Sequence, residues 1–296
     1  MDPGPPVPVD DAEPVAGAGA HEWRASLGIE SHGVVFAIRA TDESALCHLD
    51  GSLPPSWRPA DPARASVVIS WACEPTGDDE ESTSHELYAR DEMVVRTRDL
   101  DVLLDHLEST IRFEIADGTS DWLFVHSGAV GWHRRAIIVP GASGSGKSHL
   151  VRALVDAGCT YYSDEFAVLD ARGRVHPFPS PLALWQGSEL RKERLTIDDL
   201  GCREGVEPLE VGVVLLARYR EGAEWHPKLL TPARAVAAIL ASTVQSRHTP
   251  AQAADILARV ADGAHCWSGD RGEAETVVRD VLAAAEREFG PSVETD

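Results

Sequence analysis

Ile137-Ile138-Val139-Pro140-Gly141-Ala142-Ser143-Gly144-Ser145-Gly146-Lys147-Ser148 is the stretch from which the rest of this chain can be read. Residues 141–148 fit G-x-x-x-x-G-K-[ST] in full, behind an apolar strand and ahead of a helix. Glycines at 141, 144 and 146 let the backbone curl until successive amides face an anion. The helix N-terminus adds the positive end of its dipole. In this pattern Gly141, Ala142, Ser143, Gly144, Ser145, Gly146, Lys147 and Ser148 form a phosphate-binding loop. Lys147 is placed to neutralise β- and γ-phosphates, and the Ser148 hydroxyl can ligand Mg²⁺. The expectation is a nucleoside triphosphate site.

Working outward, residues 123–132 and 136–140 read as apolar strands joined by His133-Arg134-Arg135, an antiparallel hairpin. The helix after the loop runs to Ala157, with Leu150, Val151 and Leu154 as its apolar face and Gly158 suited to its C-terminal end. A strand at 159–163 ends in Asp164-Glu165, and 166–170 with 174–179 form a second hairpin. Antiparallel neighbours on both sides of the strand into the loop argue against a doubly wound parallel sheet. Residues 210–217 form a strongly apolar strand; Arg218 and Arg220 at its end could clamp a transferring phosphate. Thr231-Pro232 and Thr249-Pro250 read as capped helix starts running to about 243 and 262. A short strand at 264–267 and a helix at 273–288 complete the chain.

Upstream, residues 1–20 are rich in Pro, Gly, Ala and Asp and read as a disordered tail. Residues 21–118 read as a small α+β region, with strands at 33–38, 66–71 and 86–96 and a polar loop at 76–84. Leu100, Leu103, Leu104, Leu107 and Ile111 follow at helical steps, with Asp99 as cap. The second domain is then 119–296.

Composition narrows the function further. The chain has 296 residues, 43% of them hydrophobic, and a net charge of −21. No basic cluster suits nucleic acid, and no apolar run suits a membrane span. The start lacks a signal-peptide pattern, which gives a cytoplasmic expectation. Five scattered cysteines suggest neither zinc site nor disulfide framework.

The run Phe124-Val125-His126-Ser127-Gly128, then residues 137–148, then Gly158-Cys159-Thr160-Tyr161-Tyr162-Ser163-Asp164-Glu165 resembles the catalytic core of the HPr kinase/phosphorylase family. The resemblance covers about 122–180. It implies an α/β fold of the HPr kinase/phosphoenolpyruvate carboxykinase type, a phosphate-loop core with a mixed or antiparallel sheet. It implies ATP and Mg²⁺ as cofactors and a peptide Ser or small-molecule hydroxyl as acceptor. By position, Asp164 corresponds to the general base, Glu165 to a metal-holding acid, and His126 to the histidine near the phosphates. The sequence departs from the family in Glu165 for the usual Asp and in Ser127 before Gly128; Glu189-Leu190-Arg191 is a poor counterpart of the family's downstream signature. The family's oligomeric habit leaves a homo-oligomer as one expectation. Two other readings share the loop: a nucleotide-binding accessory protein without phosphotransfer, and a conventional small-metabolite kinase.

Overall fold

The computed structural model describes residues 21–75, 83–142, 144–185 and 192–289. The tail 1–20, Ser143, most of the polar loop at 76–84 and Glu189-Leu190-Arg191 lie outside the described residues. The chain is mixed α/β and divides into two compact units, Met1–Ile115 and Ala116–Asp296.

The first unit holds β1 (Ala25–Ser31), β2 (Val34–Ala40), β3 (Arg58–Pro59), β4 (Val67–Pro75), β5 (Thr83–Ala89) and β6 (Glu92–Thr97). They form one sheet in the order β3-β1-β2-β4-β5-β6, in which only β2 and β4 run parallel. The single strand expected at 86–96 is two strands. Arg90 and Asp91 both take left-handed backbone (φ 50° and 66°), which turns the chain tightly back on itself. Helix α1 (Leu100–Gly118) follows, and the Asp99 carboxylate accepts from the amides of Asp101 and Val102 as its cap. Its stripe Leu103, Leu107, Ile111 and Ile115 is fully buried.

The second unit contains β7 (Leu123–Trp132), β8 (Arg135–Pro140), α2 (Lys147–Asp156), β9 (Thr160–Ser163), β10 (Phe166–Leu169), β11 (Arg174–His176), β12 (Leu182–Trp185), β13 (Lys192–Leu195), α3 (Ile197–Leu200), β14 (Leu209–Tyr219), β15 (Lys228–Leu229), α4 (Pro232–Leu240), α5 (Pro250–Gly263), β16 (His265–Arg271) and α6 (Ala274–Phe289). The main sheet runs β11-β10-β7-β8-β14-β16-β15, with β9 also on β7. Because β11 pairs with the start of β14 as well, strands β7, β8, β14, β11 and β10 close a circuit of hydrogen bonds. The β7–β8 hairpin is present with a two-residue turn, His133 and Arg134, both left-handed; Arg135 already belongs to β8. β8 is antiparallel to β7 but parallel to β14, and β14 is parallel to β16. The expectation of antiparallel neighbours on both sides of β8 is therefore corrected: the sheet is mixed. Sequence proximity fixed the hairpin partner, whereas the parallel partner comes from a strand far along the chain.

Each face of this sheet is covered. Ile137 and Val139 of β8 pack with Leu150, Val151 and Leu154 of α2 and with Val277 and Val281 of α6. Ala136 and Ile138 face Ile239 of α4 and Ile256, Leu257 and Val260 of α5. Burial on both faces explains the unbroken apolar run of β8. Helices α4 and α5 begin with Pro as expected, but neither Thr231 nor Thr249 caps through its side chain. The Thr249 hydroxyl instead reaches the Gln245 carbonyl. Among the described residues no helix is long and apolar enough to cross a membrane.

One contact sets how closely α2 approaches the sheet. A Cβ at Gly128 of β7 would lie 2.3 Å from Cγ2 of Val151. Gly128→Ala is expected to destabilise the fold by about 1–3 kcal/mol through overpacking. Combined with Val151→Ala, which removes the opposing methyl, it should cost less than the two single changes added together; chemical denaturation of all four proteins measures the difference.

Candidate functional site around residues 141–148

The 141–148 loop is held from behind by its carbonyls. His126 Nδ1 lies 2.9 Å from the Gly141 carbonyl, and because a carbonyl only accepts, that nitrogen carries the proton. The Ala142 carbonyl accepts from Lys147 Nζ at 3.1 Å and from the Ser145 amide. The Ser145 carbonyl accepts from the Tyr219 amide at 3.3 Å. The Gly146 carbonyl accepts from Arg271 Nη2 at 2.7 Å and from the Leu150 amide. Among the described residues no peptide bond is cis. In a trans peptide the C=O of one residue and the N–H of the next point in opposite directions. Anchoring the carbonyls of Gly141, Ser145 and Gly146 therefore turns the amides of Ala142, Gly146 and Lys147 the other way. Gly144 and Gly146 take left-handed backbone (φ 78° and 86°), which side-chain-bearing residues rarely adopt.

The acids reach this loop through an interrupted strand. β9 and β10 both pair with the same edge of β7, Ser163 opposite Ala129 and Phe166 opposite His126. Between them the buried Ser163 hydroxyl accepts from the amides of Glu165 and Phe166. That local turn breaks the ladder at Asp164-Glu165. Asp164 is 8% exposed, and its Oδ2 accepts from the Ser148 hydroxyl at 2.7 Å and from the Ala183 amide of β12 at 3.5 Å. Its Oδ1 is buried with no hydrogen-bond partner. Burial raises the Asp164 pKa to about 6; the Ser148 hydroxyl, the Ala183 amide and the Lys147 charge pull it down, and Glu165 pushes it further up. Lys147 is itself 8% exposed. Glu165 is half-buried, and its carbonyl accepts from the Ser127 amide.

The structure thus gathers His126, Gly141, Lys147, Ser148 and Asp164 at one point, with Glu165 beside it. Arg218 and Arg220 are elsewhere engaged: both are largely exposed and share the Asp270 carboxylate. Tyr219 and Arg271, absent from the sequence reading, are what hold the loop's far side. Arg271 belongs to no motif, and only its register on β16, opposite Tyr219 of β14, brings it there. Ser163 was equally silent in the sequence.

A small hard cation fits the donor set. One hydroxyl and one carboxylate with an unsatisfied buried oxygen converge at Ser148 and Asp164. Among the described residues no three His, Cys, Asp or Glu side chains group to hold a metal by themselves, so such an ion would share its shell with ligand oxygens and water.

The raised Asp164 pKa has a consequence for stability. The folded carboxyl holds its proton more tightly than the unfolded one, so the contribution of this group falls as pH rises from about 4 to about 6 and is level above. Asp164→Asn is expected to remove that fall, on the order of 3 kcal/mol, in the unliganded protein; denaturation midpoints from pH 4 to 8 read it. No family model, no curated protein and no solved structure matches this chain.

Proposed function

We propose that the chain binds a nucleoside triphosphate, ATP, with Mg²⁺ on residues 141–148 and transfers its γ-phosphate to the hydroxyl of a peptide Ser or a small metabolite, within a phosphate-loop core of the HPr kinase-like type. The observation that carries this reading is the outward anchoring of the loop's carbonyls, which leaves the amides of Ala142, Gly146 and Lys147 on the opposite side, where an anion would lie. Lys147 supplies the positive charge for the phosphates and exchanges its present bond to the Ala142 carbonyl for them. Ser148 and Asp164 would hold Mg²⁺, which when bound neutralises charge on the phosphate oxygens. His126 keeps the first glycine in place. Catalysis would then rest on positioning and charge neutralisation.

Asp164 has two candidate roles. Its hydrogen bond to Ser148 favours the cation side, with Glu165 as the second acid. Its high proton affinity favours a general base that takes the proton from the acceptor hydroxyl as that oxygen attacks phosphorus. The two roles separate experimentally. On the cation side, Asp164→Asn should abolish the Mg²⁺ dependence of ATP binding; as base, it should leave Mg²⁺–ATP binding intact and lose transfer.

Three outcomes test the proposal as a whole. Lys147→Ala should weaken ATP binding at least tenfold, about 1.4 kcal/mol, and abolish turnover. With Asp164 on the cation side, Mg²⁺-dependent affinity should rise about tenfold per unit as pH rises toward about 6 and level off above it, because proton and cation then compete for Asp164. Incubation with γ-labelled ATP and hydroxyl acceptors, peptides with Ser included, should move label to an acceptor. ATP bound without transfer to any acceptor would favour an accessory role, and no ATP binding at all would remove the proposal.

A further inference from the structure

Arg271, at the end of β16, is the most deeply buried cationic side chain among the described residues, at 2% exposure. Its Nη2 donates to the Gly146 carbonyl and its Nη1 to the Gly272 carbonyl, both at 2.7 Å. Its Nε has no partner, and its guanidinium lies 5.4 Å from the centre of the Tyr219 ring. Two carbonyls and an aromatic face leave a full positive charge with no carboxylate in ion-pair contact among the described residues. The acids next to it in sequence are turned to other tasks. Asp270 binds Arg218 and Arg220, and exposed Glu273 accepts from the Tyr219 hydroxyl. In a chain of net charge −21, a buried guanidinium left unbalanced is a costly arrangement. Desolvation lowers its pKa from the usual arginine value, with Glu273, Tyr219 and Glu275 acting more weakly in the opposite sense.

The position of that charge gives it a use. Gly146 is the residue from which α2 begins. A Cβ at Gly146 would lie 2.6 Å from Arg271 Nη2, so glycine there is what lets the guanidinium come up against the loop. We propose that Arg271 is a positioning residue whose charge, held in no ion pair and fixed behind residues 145–147, takes the polyphosphate of a bound nucleotide as its counter-ion. This rests on the nucleotide reading above and adds to it. Affinity for the polyphosphate depends on positive charge at position 271, and not only on the hydrogen bonds that shape the loop. Arg271 acts through the loop and does not itself touch the ligand.

Calorimetric titration of the full chain with sodium tripolyphosphate, without metal, tests this. Arg271→Lys keeps the charge with fewer donors; Arg271→Gln keeps a donor amide without charge. The charge argument expects Arg271→Lys to stay within about threefold of the parent and Arg271→Gln to lose about tenfold or more. Glu273→Gln, at an exposed position, should tighten binding about two- to threefold by removing an opposing charge. Equal losses in Arg271→Lys and Arg271→Gln, or no loss in Arg271→Gln, would overturn the inference. Should the Arg271 variants fail to fold, Glu273→Gln decides: unchanged or weaker affinity overturns it. A parent protein that binds neither ATP nor tripolyphosphate defeats the nucleotide reading itself. A parent that binds both while the variants show no charge dependence defeats only the role of Arg271.

Discussion

A peptide plane cannot send its carbonyl and the following amide in the same direction, and the candidate site is built on that constraint. Apart from the Ser148 hydroxyl bonded to Asp164, the protein grips the 141–148 loop by its backbone. It takes hold of the carbonyls, through an imidazole at Gly141, a strand amide at Ser145 and a guanidinium at Gly146. The directions of the Ala142, Gly146 and Lys147 amides follow from those three anchors. The sheet's task is to present those three donors in the right places. β7 brings His126, β14 brings Tyr219 and β16 brings Arg271, from three strands that the hydrogen-bond pattern locks in register.

Charge is arranged on the same plan. The chain is strongly acidic, yet two of its most buried cations, Lys147 and Arg271, both bond to carbonyls of this one loop. The acids close by have other hydrogen-bond partners. Asp164 is tied to Ser148, and Asp270 is occupied by two exposed arginines. Burial sharpens each of these terms, since a group removed from water feels neighbouring charge more strongly. The raised proton affinity of Asp164 and the lowered one of Arg271 are two faces of the same desolvation.

What the sequence disclosed was local. Residues 141–148, the α2 face Leu150-Val151-Leu154, the β7–β8 and β10–β11 hairpins and the Asp99 cap all depend on contacts between near neighbours, and all could be read from spacing. The acids at 164–165 could be found because they follow the next strand. The parallel pairing of β8 with β14, the Ser163 turn that frees Asp164, and the Tyr219–Arg271 brace could not. Each depends on strand register between distant segments, and a lone Arg at a strand end has no pattern to mark it. Arg218 and Arg220 stood out in sequence because they are charged at the end of an apolar run; it is Tyr219 between them, on the other face of β14, that meets the loop. The threonines before Pro232 and Pro250 show the opposite failure. A residue type suited to capping sat in the right place, and the fold used neither hydroxyl for it.

The brace from Arg271 to Gly146 joins residues 125 positions apart. Chains are made from the amino end, so the glycine loop leaves the ribosome long before the arginine that steadies it. Until β16 has slotted in beside β14, the Gly146 carbonyl lacks its guanidinium partner, and the strand end carrying the Tyr219 amide lacks its neighbour. The shape of the 141–148 loop is thus tied to synthesis of the chain through Arg271, and a chain stopped before that residue carries the glycine loop without this brace.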